Sequence, residues 1–163
     1  MFQPSLFIEI KTKDKAINLG IIYRSPNSTD EEDDKVRAQL KCASQGLSNL
    51  IVAGDFNHPE IDWENSHTTV RESHKASKFL FLTNQYKFHQ MINKPTHYKP
   101  KCRPSLIDLV LTKDPDLIDK IKLTAPLRKS YHSSIIIKQH PRKKTQKNAW
   151  LKSTILIKVT LPV

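Results

Sequence analysis

The feature that most constrains this fold is a short, almost wholly apolar run, Asn-Leu-Ile-Val-Ala, at residues 49–53. Such a short run is typical of a β-strand that is buried on both faces. A strand of this kind needs a covering layer on each side, and segments with helical spacing of apolar residues occur before and after it. The sequence therefore predicts an α/β or α+β fold in which helices cover the sheet.

Further strands and helices are predicted on both sides of this run. Alternating apolar stretches at 6–10 and 17–23, separated by Asp14 and Lys15, predict a β-hairpin. Ser28 or Thr29 can cap a following helix, and Gly46 marks its end. The other predicted elements are a helix at 70–84 and strands at 88–92, 106–111, 121–124 and 134–137, with Asp108 in the middle of the strand at 106–111.

Five acidic residues, at positions 30–34, open the first predicted helix. One interpretation is a metal-binding cluster. The favoured interpretation is electrostatic, because carboxylates in the first turn stabilise the positive end of the helix dipole.

The net charge of +11 is confined to one part of the chain. Residues 1–119 contain 16 Lys and Arg and 16 Asp and Glu, whereas residues 120–163 contain 11 Lys and Arg and no acidic residue. This asymmetry indicates either a polyanionic partner, such as DNA or an anionic membrane surface, or a solvated basic tail. The candidate nucleic-acid contacts are Lys129, Arg142, Lys143 and Lys144. The apolar end at 154–163 is either an extra strand or sequence unrelated to the domain.

Several protein classes are excluded by what the sequence lacks. No apolar run approaches the roughly 20 residues of a membrane-spanning helix, and the first ten residues do not read as a secretory signal. The two cysteines, Cys42 and Cys102, have no partner in a zinc-binding spacing and are expected to be reduced thiols. An intracellular protein of the nucleus or cytoplasm is predicted, with residues 141–144, Pro-Arg-Lys-Lys, as a candidate nuclear-import signal.

Four polar residues lie where a purely structural role does not require them. Asp55 and Asn57 directly follow the buried strand, Asp108 interrupts an apolar strand, and His132 precedes another. A carboxylate, an amide and an Asp–His pair together form a recognisable hydrolytic set. Taken singly, Asp55 and Asn57 could form a turn, and His132 could be an ordinary loop histidine.

The order of these motifs resembles the endonuclease/exonuclease/phosphatase superfamily, and most closely the endonuclease domains of non-LTR (LINE-type) retrotransposons. The motifs are Ile-Tyr-Arg-Ser-Pro-Asn at 22–27, Gly-Asp-Phe-Asn at 54–57, Pro-Thr-His at 95–97, Ser-Leu-Ile-Asp-Leu-Val at 105–110 and Ser-Tyr-His at 130–132. The resemblance runs over residues 6–138 and implies a DNase I-like, two-layer β-sandwich flanked by helices. It therefore assigns residues 1–138 to a partial domain of this kind and leaves 139–163 as a basic tail with an apolar end.

The resemblance also implies a role for each site residue in the Mg²⁺-dependent hydrolysis of DNA. Asp55 matches the aspartate that orients or deprotonates the attacking water, and Asn57 matches the amide that supports it and binds the phosphate. Tyr23 matches the tyrosine whose hydroxyl contacts the scissile phosphate. Asp108 matches the carboxylate that orients the catalytic histidine, here His132.

Two departures from the family pattern bear on metal binding. The family's closing motif is Ser-Asp-His, whereas this chain has Tyr131 in place of the aspartate. The family's principal metal ligand, a glutamate of its N-terminal half, has no counterpart here, so the metal ligands of this chain are left unspecified. The expectation is an impaired retrotransposon-derived copy, with a further N-terminal half or a partner chain covering an exposed sheet face. The alternatives are a non-catalytic remnant that binds nucleic acid through its basic C-terminal third and, less favoured, a phosphatase.

Overall fold

The computed structural model describes residues 5–11 and 16–139, together with the backbone of Leu156–Val159. The elements are β1 (Ser5–Lys11), β2 (Ala16–Tyr23), α1 (Asp30–Gly46), β3 (Leu50–Asp55), β4 (Ile61–Asp62), β5 (His67–Thr68), α2 (Lys75–Gln85), β6 (His89–Gln90), β7 (Asp108–Thr112), a 3₁₀ turn (Pro115–Leu117), β8 (Ile118–Thr124), β9 (Ser134–Gln139) and β10 (Leu156–Val159).

Two sheets form the framework. The first has five strands in the order β1-β2-β3-β7-β6, and all of its pairs are antiparallel except the parallel pair of β2 and β3. The second has three antiparallel strands in the order β10-β9-β8, and β4 and β5 form a separate small hairpin. The apolar end of the chain thus contains a strand that pairs with β9.

The central strand β3 is buried on both faces, as its composition predicts. Its side chains alternate between two cores, since successive residues of a strand point to opposite faces. Leu50 and Val52 belong to a core shared with α1 and α2, whereas Ile51 and Ala53 belong to a core shared with the second sheet. The predicted two-layer β-sandwich flanked by helices, of mixed α/β class, is therefore confirmed.

Helix α1 begins with a complete capping box. The Thr29 side chain accepts a hydrogen bond from the backbone N–H of Glu32, and the Glu32 side chain accepts one from the backbone N–H of Thr29. Asp30, Glu31, Glu32 and Asp33 occupy the first turn, which agrees with the electrostatic interpretation of the acidic run.

Among the predicted boundaries that differ from the structure, three have a clear local reason. The second helix begins at Lys75 rather than at residue 70, because His74 caps it through Nδ1. Strand β6 is limited to His89–Gln90, since the Gln90 side chain accepts the backbone N–H of Ile92. Strand β7 begins at Asp108, so this residue stands at the end of a strand and not in its middle. The backbone N–H of Asp108 donates to the hydroxyl of Thr96 instead of to a neighbouring strand.

Strand β1 is the edge of the first sheet, and it leaves apolar side chains in solvent. Leu6, Phe7 and Ile8 are all exposed. A partner or further segment that covers a sheet face stays a prediction, and β1 is the strand that offers such a surface. None of the helices in the described part of the chain is long and apolar enough to cross a membrane.

Candidate active site

Three of the predicted site residues lie in one row across the first sheet. Tyr23 on β2 pairs with Asp55 on β3, and Asp55 pairs with Asp108 on β7. Directly paired residues project to the same face of a sheet, so the two carboxylates and the phenol form a line at the strand ends. Asp55 and Asp108 are buried and Tyr23 is half-buried.

The Gly-Asp-Phe-Asn motif is shaped by the contact between β2 and β3. A Cβ atom on Gly54 would lie 1.8 Å from the carbonyl oxygen of Ile22, so only glycine allows the two strands to approach here. Two residues later Asn57 adopts a left-handed backbone conformation (φ 48°), which turns the chain back across the strand end. The motif thus fixes the direction in which Asp55 leaves the sheet.

Asn57 supports Asp55 directly. Its backbone N–H donates to Asp55 Oδ1 at 3.0 Å, and its side-chain Nδ2 donates to Asp55 Oδ2 at 2.9 Å. Nδ2 also donates to the carbonyl of Arg24 at 3.0 Å. Both hydrogens of this amide are therefore engaged within the protein, and in this arrangement Asn57 orients the carboxylate rather than offering a donor to a phosphate.

Arg24 also contacts the turn at Asn57 and is a positioning residue that the sequence did not reveal. Its guanidinium makes a two-pronged ion pair with Asp33 of α1, at 2.6 and 3.0 Å, with both side chains 2% exposed. The remaining amino group, Nη1, donates to the carbonyl of Asn57 at 3.0 Å. Arg24 therefore links helix α1 to the turn at Asn57, which in turn orients Asp55. The only signal in the sequence is the position of Arg24 beside Tyr23.

The predicted Asp–His pair is formed. His132 Nδ1 lies 3.0 and 3.1 Å from the two carboxylate oxygens of Asp108. The backbone N–H of His132 donates to the hydroxyl of the buried Ser130, which fixes the loop before β9. The imidazole is oriented by Asp108 and remains 15% exposed, so it can reach a ligand.

Thr96 is a second positioning residue without a role in the sequence analysis. It is fully buried, and its hydroxyl accepts the backbone N–H of Asp108 at 3.0 Å. Its carbonyl accepts the N–H of Ser133 at 2.7 Å, so Thr96 joins the Asp108 strand end to the His132 loop. The next residue, His97, lies with its ring centroid 4.6 Å from that of His132.

Burial and mutual charge set the protonation of the site. Burial, together with the nearby Asp108 carboxylate, raises the pKa of Asp55 to about 7. The hydrogen bond that His132 donates to the Asp108 carboxylate raises the pKa of His132 above its usual value of 6.5. Burial and the neighbouring His132 lower the pKa of His97. Near neutral pH the cluster therefore combines a carboxyl close to half-ionised with a histidine whose charged form is stabilised by Asp108.

The donor set is suited to a single cation. One ligand atom each from Asp55, Asp108 and His132 lie within 4.8 Å of one another. Asp108 and His132 already contact each other, whereas burial and the Asp108 carboxylate disfavour the charged form of Asp55, which a bound cation would stabilise. Each Asp55 oxygen accepts one hydrogen bond from Asn57 and keeps a second lone pair. Asp55 therefore fits the hard-oxygen chemistry of Mg²⁺, which proteins hold through one or two carboxylates plus water and phosphate.

The residue that departs from the family pattern faces outwards. Tyr131 is 42% exposed, and its ring meets His97 edge-on at a centroid distance of 6.3 Å. Of the candidate nucleic-acid contacts, Lys129 is exposed on the loop just before His132. Residues 142–144, the other three candidates, and the import-signal candidate at 141–144 lie outside the described residues.

Comparison with known proteins agrees with this architecture. The model of a family described as endonuclease-reverse transcriptase matches residues 17–136. The solved endonuclease domain of TRAS1, a telomere-specific non-LTR retrotransposon, is similar with a TM-score of 0.66 and 19% identity. That match covers 85% of this chain and 64% of the TRAS1 chain, and at this identity it shows the fold alone. No curated protein matches. The resemblance predicted from the motifs is confirmed, and the chain belongs to the endonuclease-reverse transcriptase family.

Proposed function

We propose that this chain carries the phosphodiesterase site of a retrotransposon-type endonuclease, that it hydrolyses DNA with Mg²⁺, and that Tyr131 attenuates this copy. The observation that supports the proposal most strongly is the placement of the Asp108–His132 pair beside Asp55 at one end of the sheet. The family match and the fold agree with an endonuclease domain.

Asp55 is suited to act on the attacking water. Without a bound cation its pKa of about 7 lets Asp55 take a proton near neutral pH. Mg²⁺ on the same carboxylate would lower that pKa, and Asp55 would then orient the water rather than take its proton. The direction of the carboxylate is fixed by two hydrogen bonds from Asn57, so little reorganisation is needed to align a water molecule. Each of the Asp55 oxygens keeps a lone pair that could accept a hydrogen bond from that water, and Asp55 is also the carboxylate that would hold Mg²⁺.

His132 supplies positive charge on the phosphate side. Asp108 fixes the ring and stabilises its protonated form, and a charged imidazole can donate a hydrogen bond to an oxygen on which charge develops. Tyr23 lies in the same row, and we expect its hydroxyl to contact the phosphate, as the family resemblance implies. Mg²⁺ held at Asp55 would polarise the phosphate and offset its negative charge.

Tyr131 accounts for the attenuation. An aspartate at this position would add a carboxylate next to His132, whereas the phenol of tyrosine, with a pKa near 10, carries no charge at neutral pH. Groups that hydrogen-bond to metal ligands typically change the affinity or activity of a metal site by about 10- to 100-fold, and we expect an effect of this order from a carboxylate beside His132. This copy is therefore expected to retain its acid–base groups but to hold its cation weakly.

A plasmid-nicking assay tests the proposed function. The purified chain is incubated with supercoiled plasmid in Mg²⁺ or in EDTA, beside the Asp55→Ala and His132→Ala variants. Nicking is expected only in Mg²⁺ and only without either substitution, because both groups act on the reacting atoms. His89→Ala is the matched control, since His89 is exposed and pairs with Thr112 at the opposite end of β7. Nicking that persists in EDTA or in both site variants contradicts the proposal.

A second candidate function is nucleic-acid binding without catalysis. It is favoured by the exposure of Lys120, Lys122, Arg128 and Lys129 and by the absence of any acidic residue from 120–139. Binding through these cations weakens with salt, with a log–log slope near −0.9 for each duplex phosphate neutralised. A steep slope in a chain that never nicks DNA supports this function over the first.

A further inference from the structure

Two loops beside the active site form a surface that is rich in cations. They are residues 93–105 and 125–131, here called the two-loop surface, and neither contains an Asp or Glu. The excess on the first loop is hidden in the overall balance of charge over residues 1–119, whereas the second loop belongs to the basic segment 120–163. Its cationic side chains, all exposed, are Lys94, Lys99, Lys101, Arg103, Arg128 and Lys129.

The same loops present two exposed aromatic rings on bonded backbone positions. Tyr98 is 46% exposed and Tyr131 is 42% exposed, and the backbone N–H of Tyr98 donates to the carbonyl of Tyr131 at 2.9 Å. The Tyr98 hydroxyl donates to the carbonyl of Pro95 at 2.9 Å, which anchors that ring on its own loop. A single exposed ring is ordinary on a protein surface, but these two occupy backbone positions that are hydrogen-bonded to each other, on loops rich in cations.

A chain of ring contacts links this surface to the catalytic histidine. The edge-on contact between Tyr131 and His97 is followed by the 4.6 Å contact between His97 and His132. A ligand that covers Tyr131 therefore lies two ring contacts from His132. The two-loop surface and the site also share a backbone bridge between His97 and His132.

We propose that the two-loop surface binds unpaired nucleotides, with bases stacked on Tyr98 and Tyr131 and the cations along the phosphates. Sequence-tolerant stacking on aromatic side chains, combined with a positive groove, is how proteins hold single strands. A duplex keeps its bases stacked on each other, so it offers these loops only its backbone. The inference rests on the proposed function for the identity of the neighbouring site, and it makes a single-stranded or locally unpaired segment the preferred substrate.

Fluorescence anisotropy in EDTA tests this preference without any need for catalysis. The probes are a labelled 12-nucleotide oligothymidylate, an oligouridylate of the same length, and a 12-base-pair duplex. The single strands are expected to bind about ten-fold more tightly than the duplex, and Tyr98→Ala and Tyr131→Ala are each expected to weaken them by about ten-fold. Binding to the duplex is expected to change little, because the cations are untouched. The oligouridylate, which differs in both the sugar and the 5-methyl group, is expected to bind like the oligothymidylate because stacking tolerates both changes.

Matched variants separate stacking from a general effect. Tyr131→Phe keeps the ring and is expected to bind as the unmodified chain does. Phe81→Ala removes another exposed ring, 68% exposed on α2 and outside the two-loop surface, and is expected to change nothing. Equal affinity for duplex and single strands, or full single-strand affinity in both tyrosine-to-alanine variants, overturns the inference. A chain that stacks single strands but never nicks DNA upholds this inference and contradicts only the proposed function.

Discussion

Replacing Arg24 by alanine is expected to lower the free energy of unfolding by about 3–5 kcal/mol, which is the usual cost of stripping one partner from a buried ion pair. The substitution leaves the Asp33 carboxylate, 2% exposed, without the guanidinium that meets both of its oxygens. It also removes the donor to the carbonyl of Asn57. Because the free energy of unfolding is usually about 5–15 kcal/mol for such domains, this substitution is expected to remove a large part of it.

Urea denaturation of the Arg24→Ala, Asp33→Ala and doubly substituted chains measures the effect. The double variant is expected to lose less than the sum of the two single losses, because it leaves no unpaired charge. Lys138→Ala is the matched control: its pair with Asp119 is 45% and 35% exposed, and surface pairs contribute less than about 1 kcal/mol. Additive losses, or a loss for Arg24→Ala no larger than for Lys138→Ala, contradict the positioning role.

Asp55→Asn is expected to change how stability depends on pH. As the pH rises from 5 to 8, the unmodified chain is expected to lose on the order of 3 kcal/mol of unfolding free energy that the variant keeps. The reason is that the folded state keeps the Asp55 proton up to a pKa of about 7, whereas the unfolded chain releases it near 3.8.

The sign follows from proton binding. Between these two pKa values the folded state binds more protons than the unfolded state, so raising the pH through this window favours unfolding. Asparagine has no proton to release, so this loss is absent from the variant. His58, whose pKa burial lowers to about 2, has the opposite slope in both proteins and cancels in the difference.

Urea denaturation at pH 5 and pH 8 in EDTA provides the measurement. Asp62→Asn is the control, since that carboxyl is exposed and its lowered pKa lies below the window. Its profile is expected to run parallel to that of the unmodified chain. If the profile of Asp55→Asn also ran parallel to that of the unmodified chain, the pKa of Asp55 would not be raised, and Asp55 would not be a base that takes a proton near neutral pH.

The part of the site that depends on strand ends could be predicted from the sequence. A buried apolar run followed by Gly-Asp-Phe-Asn indicates where Asp55 and Asn57 lie, and the polar interruption at Asp108 indicates the neighbouring strand. The contact of Asp108 with His132 required the motif order as well. Its details did not follow, because a strand pattern cannot show that Thr96 takes the backbone N–H of Asp108 and so starts β7 there.

The supports of the site were beyond sequence reasoning for a different reason. Arg24 and Asp33 look like a surface cation and one member of an acidic run, and only the packing of α1 over the turn buries both. Likewise, the two-loop surface joins segments whose link is a backbone hydrogen bond between Tyr98 and Tyr131. Pairings between distant loops leave no periodic pattern in the residues.

The measurement that tests the central claim most directly is plasmid nicking by Tyr131→Asp beside the unmodified chain. We expect Mg²⁺-dependent nicking at least about ten-fold faster in the variant, because the added carboxylate beside His132 supplies one of the two carboxylates by which this chain departs from the family pattern. Adding His132→Ala to the variant is expected to abolish that gain. No Mg²⁺-dependent nicking in either chain, or a gain that survives the loss of His132, would contradict the claim that Asp55, Asp108 and His132 form a phosphodiesterase site.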